Sequence, residues 1–271
     1  MEIPSTLGII AGNGAYPRLV AEAARSAGVK TICAVAFEKE TDAALADRVD
    51  RIEWLRVGQL SRLLNFFRDQ GIHHAMMAGQ IAPKNLFDLR PDWKALLLLA
   101  KLKRRNAATI FAAIAGELAE IGIELLPATT FLHDHVAVVG LIAGPKLSHR
   151  QEEDVAFGWN IAKEIARLDI GQTVVVKNGT VLAVEGFDGT NETLQRGGKL
   201  AGKGAIVVKV AKTNQDMRFD VPVIGSETVR IGAASKVRVI AVEAGRTLLL
   251  EKGELIEVAN DLNISIVGLR A

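Results

Sequence analysis

A group of charged residues follows an apolar segment in the second half of the chain: Lys212, Asp216, Arg218 and Asp220. Lys and Arg bind phosphate oxygens, while carboxylates hold divalent ions and orient water. The polar, apolar, polar alternation predicts an extended backbone that points Arg218 and Asp220 to one face and Phe219 to the other. The spacing therefore predicts a site for a phosphorylated ligand.

The residues after this group favour a fixed position for it. Val221–Gly225 contains Pro222, whose ring restricts the backbone, and such a segment can hold Arg218 and Asp220 in place. A structural ion pair is the alternative. For Asp216 and Lys212 the sequence does not favour either interpretation.

Three other segments place polar residues at the ends of predicted apolar strands. They are Asp169–Gln172, Glu185–Glu192 and Glu243–Arg246. Carboxylate oxygens without a His or Cys cluster favour Mg²⁺ or Mn²⁺ over zinc. The second of these segments offers Glu185, Asp188, Thr190 and Glu192 around two glycines. Ordinary solvation is the alternative, and it is the preferred interpretation for Glu192.

In the first half, a glycine turn follows a strand and opens a helix, where backbone N–H groups can bind phosphate. The turn is Gly12, Asn13 and Gly14, and a later strand ends at Gly79 and Gln80. Open α/β sheets bind ligands at such strand ends. A nicotinamide cofactor is the weaker interpretation. Pro17 stands where the dinucleotide fingerprint requires a third glycine, although Glu38 follows the second strand as a ribose ligand would.

These residues require a scaffold of alternating strands and helices. The first half predicts strands at 7–11, 31–37, 74–78 and 122–126, with helices between them, as in a parallel sheet. Residues 92–120 are expected to be helical. They carry a basic run that is either a solvated face or a phosphate or lipid contact: Lys101, Lys103, Arg104 and Arg105.

The second half predicts a mixed α/β domain. Asn178 and Gly179 separate two β-rich segments and favour a type I′ hairpin turn, because both can adopt positive φ. Further strands are expected at 205–211, 237–243 and 264–269. The fold prediction is a Rossmann-like parallel-sheet domain over 1–130 followed by a mixed α/β catalytic domain over 131–271.

Composition narrows the function classes. The chain has 271 residues and 49% hydrophobic content, enough for a substantial core. Its 33 basic and 31 acidic residues nearly balance, which argues against non-specific nucleic-acid binding. The single cysteine, Cys33, excludes an internal disulfide. A cytoplasmic protein is expected, with membrane contact only peripheral, because apolar stretches are shorter than the ~20 residues of a spanning helix.

Several long segments, in the same order, resemble the LpxI-type UDP-2,3-diacylglucosamine diphosphatases of lipid A biosynthesis. They are Leu7–Pro17, Gly171–Val176, Val181–Glu185, Gly189–Thr190, Gln215–Gly225 and Val242–Arg246. The resemblance covers nearly the whole chain. It implies an N-terminal Rossmann-like domain, a distinct C-terminal domain, a homodimer, and substrate between the domains.

The resemblance also implies an activity, the metal-dependent hydrolysis of UDP-2,3-diacylglucosamine to UMP and 2,3-diacylglucosamine 1-phosphate. Asp220 matches the essential aspartate of the family, as a metal ligand or as the base that aligns water. Two positions depart from the family pattern. Asn13 stands where glycine is frequent, and Asn191 stands where aspartate is common. If Asn191 replaces a metal ligand, the metal would bind more weakly, because a neutral amide is a weaker ligand than a carboxylate.

Together these arguments predict one mechanism. Mg²⁺ or Mn²⁺ bridges the pyrophosphate, and its expected ligands are Glu185, Asp188, Asp216 and Asp220. The residues expected to offset phosphoryl charge are Lys212, Arg218 and Arg246. The expected nucleotide- or sugar-binding residues are Gly12, Asn13, Gly14, Gly79, Gln80 and Thr190.

Two other function classes stay open: a nicotinamide-dependent oxidoreductase and a non-catalytic module that binds a nucleotide sugar or lipid. Peripheral contact with the inner face of the inner membrane is a further expectation. No nucleic-acid partner is expected.

Overall fold

The computed structural model describes residues 3–81, 91–104, 106–213 and 215–270. The chain forms two compact units. The first comprises Met1–Leu132 together with the short segment Asp216–Asp220, and the second comprises His133–Gln215 and Val221–Ala271. The predicted boundary lies between residues 130 and 131, and the units divide after Leu132.

The first unit is built on a parallel sheet of five strands in the order β3-β2-β1-β4-β5. Its strands are β1 (Thr6–Ala11), β2 (Thr31–Phe37), β3 (Arg51–Leu55), β4 (His74–Ala78) and β5 (Glu124–Leu125). Its helices are α1 (Tyr16–Ala27), α2 (Leu60–Asp69), α3 (Trp93–Lys101) and α4 (Ala107–Glu120). This confirms the predicted parallel α/β fold.

Sequence analysis missed β3, which lies at the edge of this sheet. Its residues alternate charged and apolar, with Arg51 and Glu53 separated by Ile52. Charged side chains are typical of edge strands because they discourage pairing with other chains. An edge strand therefore has a weaker apolar signal than the buried β1 and β2.

The helical region predicted over 92–120 is interrupted. The Asn106 side chain accepts a hydrogen bond from the backbone N–H of Thr109 at 2.9 Å and starts α4 as a separate helix. Asp92 caps α3 in the same way, through the N–H of Ala95 at 2.9 Å. Both are preferred N-cap residues. Of the predicted basic run, Arg105 lies outside the described residues.

The second unit has a mixed sheet of six strands in the order β6-β13-β11-β9-β7-β8, and a two-stranded parallel sheet, β10-β12. Its strands are β6 (Gly140–Ala143), β7 (Thr173–Lys177), β8 (Thr180–Val184), β9 (Ala205–Lys209), β10 (Val223–Ile224), β11 (Val237–Glu243), β12 (Leu248–Leu249) and β13 (Ser265–Leu269). Its helices are α5 (His149–Arg167), α6 (Gly189–Ala201), α7 (Ser226–Ala234) and α8 (Lys252–Asp261).

Alternating side chains of this sheet face two helical layers. Val174 and Val176 of β7 share a core cluster with Val155 and Ala162 of α5. Val175, between them, belongs to the cluster that holds the buried residues of α6, α7 and α8. Burial on both faces explains the nearly continuous apolar composition of these strands.

The Asn178–Gly179 hairpin is confirmed, with both φ angles positive at 51° and 68°. Helix α6 was not predicted. It begins at Gly189, inside the segment Glu185–Glu192 whose polar residues were expected only to end an apolar strand. Among the described residues, none of the helices has the length and hydropathy needed to cross a bilayer.

Candidate functional site

The turns after β1 and β4 meet at the carboxyl edge of the first sheet. The N–H of Gly12 donates to Ala78 O at 2.7 Å, and the N–H of Asn13 donates to Gln80 O at 2.7 Å. Gln80 N–H donates back to Asn13 O at 3.2 Å. The chain leaves β1 and β4 on opposite sides of this pair, which is where open α/β sheets bind ligands. The structure thus brings together the predicted residues of both turns.

Two of the glycines are required for this close approach. A Cβ atom on Gly12 would lie 2.5 Å from Gln80 O, and one on Gly79 would lie 2.6 Å from Asn13 O. Neither distance is compatible with a side chain. Gly14 differs, because it has open space around it and a φ of +90°, which glycine adopts without strain.

An apolar pocket of about 110 Å³ adjoins these turns in the first unit. Gly12 and Gly79 form part of its wall, and α2, α3 and α4 supply eight of the other lining residues. Its larger aliphatic and aromatic lining residues include Phe37, Leu60, Met77, Leu99, Phe111, Ile114 and Phe219. Of the described residues that line the pocket, only Gln59 has a polar side chain.

The segment Asp216–Asp220 forms a turn, so the predicted extended conformation is wrong. Asp216 O accepts hydrogen bonds from the N–H groups of Phe219 at 3.2 Å and Asp220 at 2.9 Å. The cause is local. Asp216 Oδ1 also accepts from the N–H of Arg218 at 3.1 Å, and Asp side chains commonly stabilise turns in this way.

Asp216 and Arg218 form a forked ion pair within this turn. Arg218 Nε lies 2.9 Å from Asp216 Oδ1, and its terminal nitrogen lies 2.7 Å from Oδ2. The Arg218 side chain lowers the pKa of Asp216, and Asp216 in turn raises the pKa of Arg218. Both oxygens of Asp216, a predicted metal ligand, are therefore already engaged by a cation.

Phe219 and Met217 tie the turn to the body of the first unit. The Phe219 ring lies 6.0 Å from the Phe111 ring, centroid to centroid, and forms part of the pocket wall. Met217 O accepts a hydrogen bond from Ala128 N–H at 2.8 Å. Asp220, which directly follows Phe219, thus belongs to a segment anchored at the apolar pocket.

In the second unit, a fully buried carboxylate stands at the carboxyl end of β11. Glu243 Oε2 accepts from Lys163 Nζ at 2.6 Å and from Ala211 N–H at 2.8 Å. Oε1 has no hydrogen-bond partner among the described residues, although Arg246 lies 3.7 Å away. Sequence analysis identified Glu243 only as a strand end and missed Lys163, which lies far from it in the chain.

Of the predicted cations, Arg246 lies beside this carboxylate and contacts the backbone of Lys212. Arg246 donates to Lys212 O at 3.2 Å, and Lys212 Nζ pairs with Asp169 Oδ1 at 2.6 Å. Both follow the carboxyl ends of parallel strands, β9 and β11. Two cations at neighbouring strand ends suit a ligand with phosphate oxygens.

A second buried polar group links the predicted Glu185 and Thr190. The Thr190 hydroxyl donates to Glu185 Oε1 at 2.8 Å and accepts from Lys209 Nζ at 3.0 Å. Lys209, which is only 5% exposed, also donates to Val223 O at 3.1 Å. Sequence analysis missed Lys209 as a functional candidate. The sequence did contain a signal for it, because Lys209 is a charged residue at the end of an apolar strand.

The predicted ligand Asp188 is turned towards other partners. Its Oδ1 accepts from Gly186 N–H at 3.0 Å, and its Oδ2 pairs with Arg196 at 2.6 Å. These contacts, the Gly186 hydrogen bond foremost, lower the pKa of Asp188.

The predicted metal ligands do not assemble within either unit. Glu185 and Asp188 belong to the second unit, while Asp216 and Asp220 belong to the first. Within the part of the chain that the structure describes, no three His, Cys, Asp or Glu side chains are grouped so as to hold a metal ion. Metal binding by this set stays a prediction.

Two α/β units, one with an apolar pocket and the other with buried charges at its strand ends, define a protein of two distinct domains. The sequence matches the LpxI N-terminal domain over residues 6–135 and the LpxI C-terminal domain over residues 138–267. The chain therefore belongs to the LpxI family.

A curated relative is similar along its whole length. UDP-2,3-diacylglucosamine pyrophosphatase LpxI of Caulobacter vibrioides (strain ATCC 19089 / CIP 103742 / CB 15) is 28% identical over 274 residues, which is 97% of each chain.

Two solved structures give weak matches. The biotin carboxylase domain of a 2-oxoglutarate carboxylase from Hydrogenobacter thermophilus is 13% identical, with a TM-score of 0.30, over 74% of this chain and 42% of that one. Another biotin carboxylase domain of a thermophilic 2-oxoglutarate carboxylase is 17% identical, with a TM-score of 0.29, over 75% of this chain and 43% of that one. The chain thus spans less than half of either, and these scores do not establish a common fold.

Proposed function

We propose that this chain is an enzyme that hydrolyses UDP-2,3-diacylglucosamine to UMP and 2,3-diacylglucosamine 1-phosphate, a step of lipid A biosynthesis. The observation that carries the proposal is the LpxI family match across both units. The relative that bears the corresponding name aligns over 97% of the chain.

The charges of the second unit support a phosphorylated substrate. Lys163 and Arg246 pair with the buried Glu243 carboxylate, and Arg246 also donates to the backbone carbonyl of Lys212. In this arrangement Glu243 holds Lys163 and the backbone of Ala211, while Lys212 and Arg246 neutralise charge on the phosphoryl oxygens. Fixed cations of this kind stabilise a phosphoryl-transfer transition state.

The proposed chemistry is attack of water on one phosphorus of the pyrophosphate. A new P–O bond forms to the water oxygen, and the bridging P–O bond breaks. One phosphate group leaves on UMP and the other on the sugar. Asp220 is the proposed base that aligns this water and accepts its proton. Arg218 is proposed to offset phosphoryl charge, and Asp216 orients Arg218 through their forked pair.

The test measures UMP release from UDP-2,3-diacylglucosamine by the purified protein and by Asp220→Asn. We expect the variant to lose at least about 10³-fold in kcat while retaining substrate affinity, because loss of a group acting in the transition state lowers kcat. Asp261→Asn is the matched control at an exposed position and should retain full activity. Absence of UMP with wild-type protein across several divalent metals would overturn the proposal.

Mg²⁺ or Mn²⁺ dependence is part of the proposal, supported by the carboxylate-rich candidate residues and the preference of these ions for oxygen ligands. The described residues group no complete ligand set, so no step of the hydrolysis is assigned to the ion. Removal of divalent ions with EDTA should abolish UMP release, and Mg²⁺ or Mn²⁺ should restore it. Unchanged activity after chelation would remove the metal from the proposal.

We also propose a homodimer that contacts the inner face of the inner membrane peripherally. Exposed apolar side chains on α3 support the membrane contact, since Trp93 is 74% exposed and Leu96 and Leu97 are each 47% exposed. Light scattering measures the oligomeric state. Sedimentation with anionic vesicles, compared with Trp93→Ser, measures the membrane contact. A monomeric mass would contradict the dimer, and equal sedimentation of the two proteins would contradict the role of α3.

A further inference from the structure

Tyr16 is the only tyrosine of the chain and the first residue of α1, the helix that the glycine turn opens. It is 7% exposed, and its hydroxyl donates a hydrogen bond to Ala128 O, on the loop that follows β5. The two residues lie 112 positions apart in the chain. The contact therefore joins the segments that follow β1 and β5 at the carboxyl edge of the first sheet.

The backbone of Ala128 continues this contact to the turn Asp216–Asp220. The Ala128 N–H donates to Met217 O at 2.8 Å. Among the described residues, this is the only backbone-to-backbone hydrogen bond that joins the turn to the rest of the first unit. Within the turn, the carbonyl oxygen of its first residue accepts from the N–H of Asp220 at 2.9 Å. Hydrogen bonds thus connect the Tyr16 hydroxyl to the turn that carries the proposed base.

We propose that Tyr16 is a positioning residue, whose hydroxyl holds Ala128 and, through Met217, sets the place of the Asp220 carboxylate for hydrolysis. The inference rests on the function proposed above, in which Asp220 aligns the attacking water. It adds to that function a residue that acts on the reaction without contacting the substrate.

The chemistry of the side chain supports this role. A phenylalanine would bury the same ring without a polar atom, whereas a buried hydroxyl costs free energy unless it is hydrogen-bonded. Burial raises the pKa of Tyr16 above its usual value, so the phenol stays neutral and keeps the proton that it donates. The hydroxyl therefore serves the contact with Ala128.

The start of α1 fixes the donor in place. Pro17 stands in the first turn of the helix, where its ring sets the backbone angle that a helix requires. The glycine turn before it is held by a reciprocal pair of backbone hydrogen bonds between Asn13 and Gln80. Tyr16 thus lies on a rigid base, from which its hydroxyl can hold the loop of Ala128. Reacting groups must be held within about 0.5 Å of the productive geometry, so one such contact affects the rate.

The first experiment removes only the hydroxyl. With UDP-2,3-diacylglucosamine, we expect Tyr16→Phe to lower kcat by about ten- to a hundredfold, since a misplacement of about 1 Å has an effect of this size. KM should stay within about twofold of the wild-type value, because an interaction that acts only in the transition state changes kcat.

Ser265→Ala is the matched control. The Ser265 hydroxyl is also buried and donates to a distant carbonyl, Pro145 O, at 2.6 Å, but it lies in the second unit at the start of β13. Each variant loses one buried hydrogen bond, so both should melt at a lower temperature than wild type. Only Tyr16→Phe should lower kcat. Equal losses of kcat in the two variants would show a structural role alone and would overturn the inference.

A double variant tests whether Tyr16 acts through Asp220. Added to Asp220→Asn, Tyr16→Phe should lower the residual kcat by less than about twofold, because residues that act as a unit are not additive. If the two losses multiply, Tyr16 acts on another part of the site and the proposed relay is wrong.

A spectroscopic measurement tests the relay without turnover. Because Tyr16 is the only tyrosine, labelling with 3-fluorotyrosine gives a single ¹⁹F resonance. Asp216→Ala removes the carboxylate that accepts from the N–H of Arg218 within the turn, and we expect it to move this resonance by more than its line width. Asp69→Ala, at an exposed position of the same unit, should leave the resonance in place. An unmoved resonance in Asp216→Ala would show that Tyr16 and the turn are not coupled.

The outcomes separate this inference from the proposed function. If wild-type protein releases no UMP, the proposed function fails, and the positioning role fails with it. If UMP is released and Tyr16→Phe keeps the wild-type kcat, the positioning role fails while the proposed function stands.

Discussion

The two units use the carboxyl ends of their parallel strands in opposite ways. In the first unit, the turns after β1 and β4 are joined by backbone hydrogen bonds and adjoin an apolar pocket. In the second unit, the ends of β9 and β11 carry the buried charges Lys209 and Glu243.

The same topological position thus presents opposite chemistry in the two units. Strand ends of open sheets are ligand sites because the loops diverge there, but the side chains decide which ligand fits. At the first edge the described wall of the pocket is apolar except for Gln59, while paired charges at the second suit phosphate.

The largest expected effect comes from Glu243→Leu in the second unit. The change leaves Lys163 without its 2.6 Å partner and Ala211 N–H without an acceptor, and both Glu243 oxygens are lost from a fully buried site. Removal of one partner of a buried pair costs about 3–5 kcal/mol. Urea unfolding measures this cost. The exposed pair Glu164–Arg167 is the control, and Glu164→Ala should cost under about 1 kcal/mol.

A double variant sharpens the interpretation. Lys163→Met combined with Glu243→Leu removes both charges, and part of the lost stability should return, since a buried apolar pair is often as stable as a buried ion pair. If Glu243→Leu alone unfolds at the wild-type urea concentration, the buried charges do not hold the second unit together.

The second-largest loss of stability is expected for Gly12→Ala in the first unit. Gly12→Ala places a methyl group 2.5 Å from Gln80 O, so the two turns must separate. Overpacking of this kind costs about 1–3 kcal/mol. The control is Gly116→Ala within α4, where a Cβ meets no atom within 4 Å and where alanine should stabilise the helix by about 0.5–1 kcal/mol. Thermal unfolding should therefore shift in opposite directions for the two variants, and shifts of the same sign would contradict the close-packing argument.

A smaller effect is expected for Thr190→Val, which removes the hydroxyl between Glu185 and Lys209. Each buried group loses one hydrogen bond but keeps other contacts, so the cost should be about 1–2 kcal/mol. Thr180→Val makes the same change at an exposed position of β8 and should be nearly neutral. Equal stability of the two variants by urea unfolding would show that the link contributes nothing.

The smallest effect is the pH dependence of Arg218→Gln. Arg218 lowers the pKa of Asp216, so their pair contributes stability above the ordinary aspartate pKa of about 4, and this contribution is lost as the pH falls through the lowered value. Because both side chains are substantially exposed, solvent screening keeps the contribution under about 1 kcal/mol.

Carboxyl ¹³C NMR measures this prediction. In Arg218→Gln the titration midpoint of Asp216 should rise towards its ordinary pKa, and the stability difference from wild type should shrink below about pH 4. An unshifted midpoint would show that Arg218 does not hold the carboxylate in solution.

Much of the fold follows from local patterns in the sequence. Buried strands such as Thr31–Phe37 and the Asn178–Gly179 hairpin are predictable because continuous apolar residues and turn residues act locally. Edge strand β3 and helix α6 were missed. The former has an alternating charged pattern, and the latter begins with glycine, threonine and asparagine, which favour loops.

The candidate site was less predictable, since its contacts join residues far apart in the chain. Lys163 meets Glu243, and Lys209 meets Thr190, only through the sheet and its helices. The extended conformation predicted for Arg218–Asp220 was wrong because the Asp216 side chain stabilises a turn, a contact that the alternation of residue types does not reveal.

The division of the chain also has a consequence for synthesis. The first unit needs Asp216–Asp220, which is translated long after Leu132. At translation rates of about 5–20 residues per second, the nascent first unit waits roughly 4 to 18 seconds before Phe219 can complete the wall of its pocket. During that interval an apolar surface faces water, so the nascent chain has a period of exposure to chaperones that ends only when the second unit is largely made.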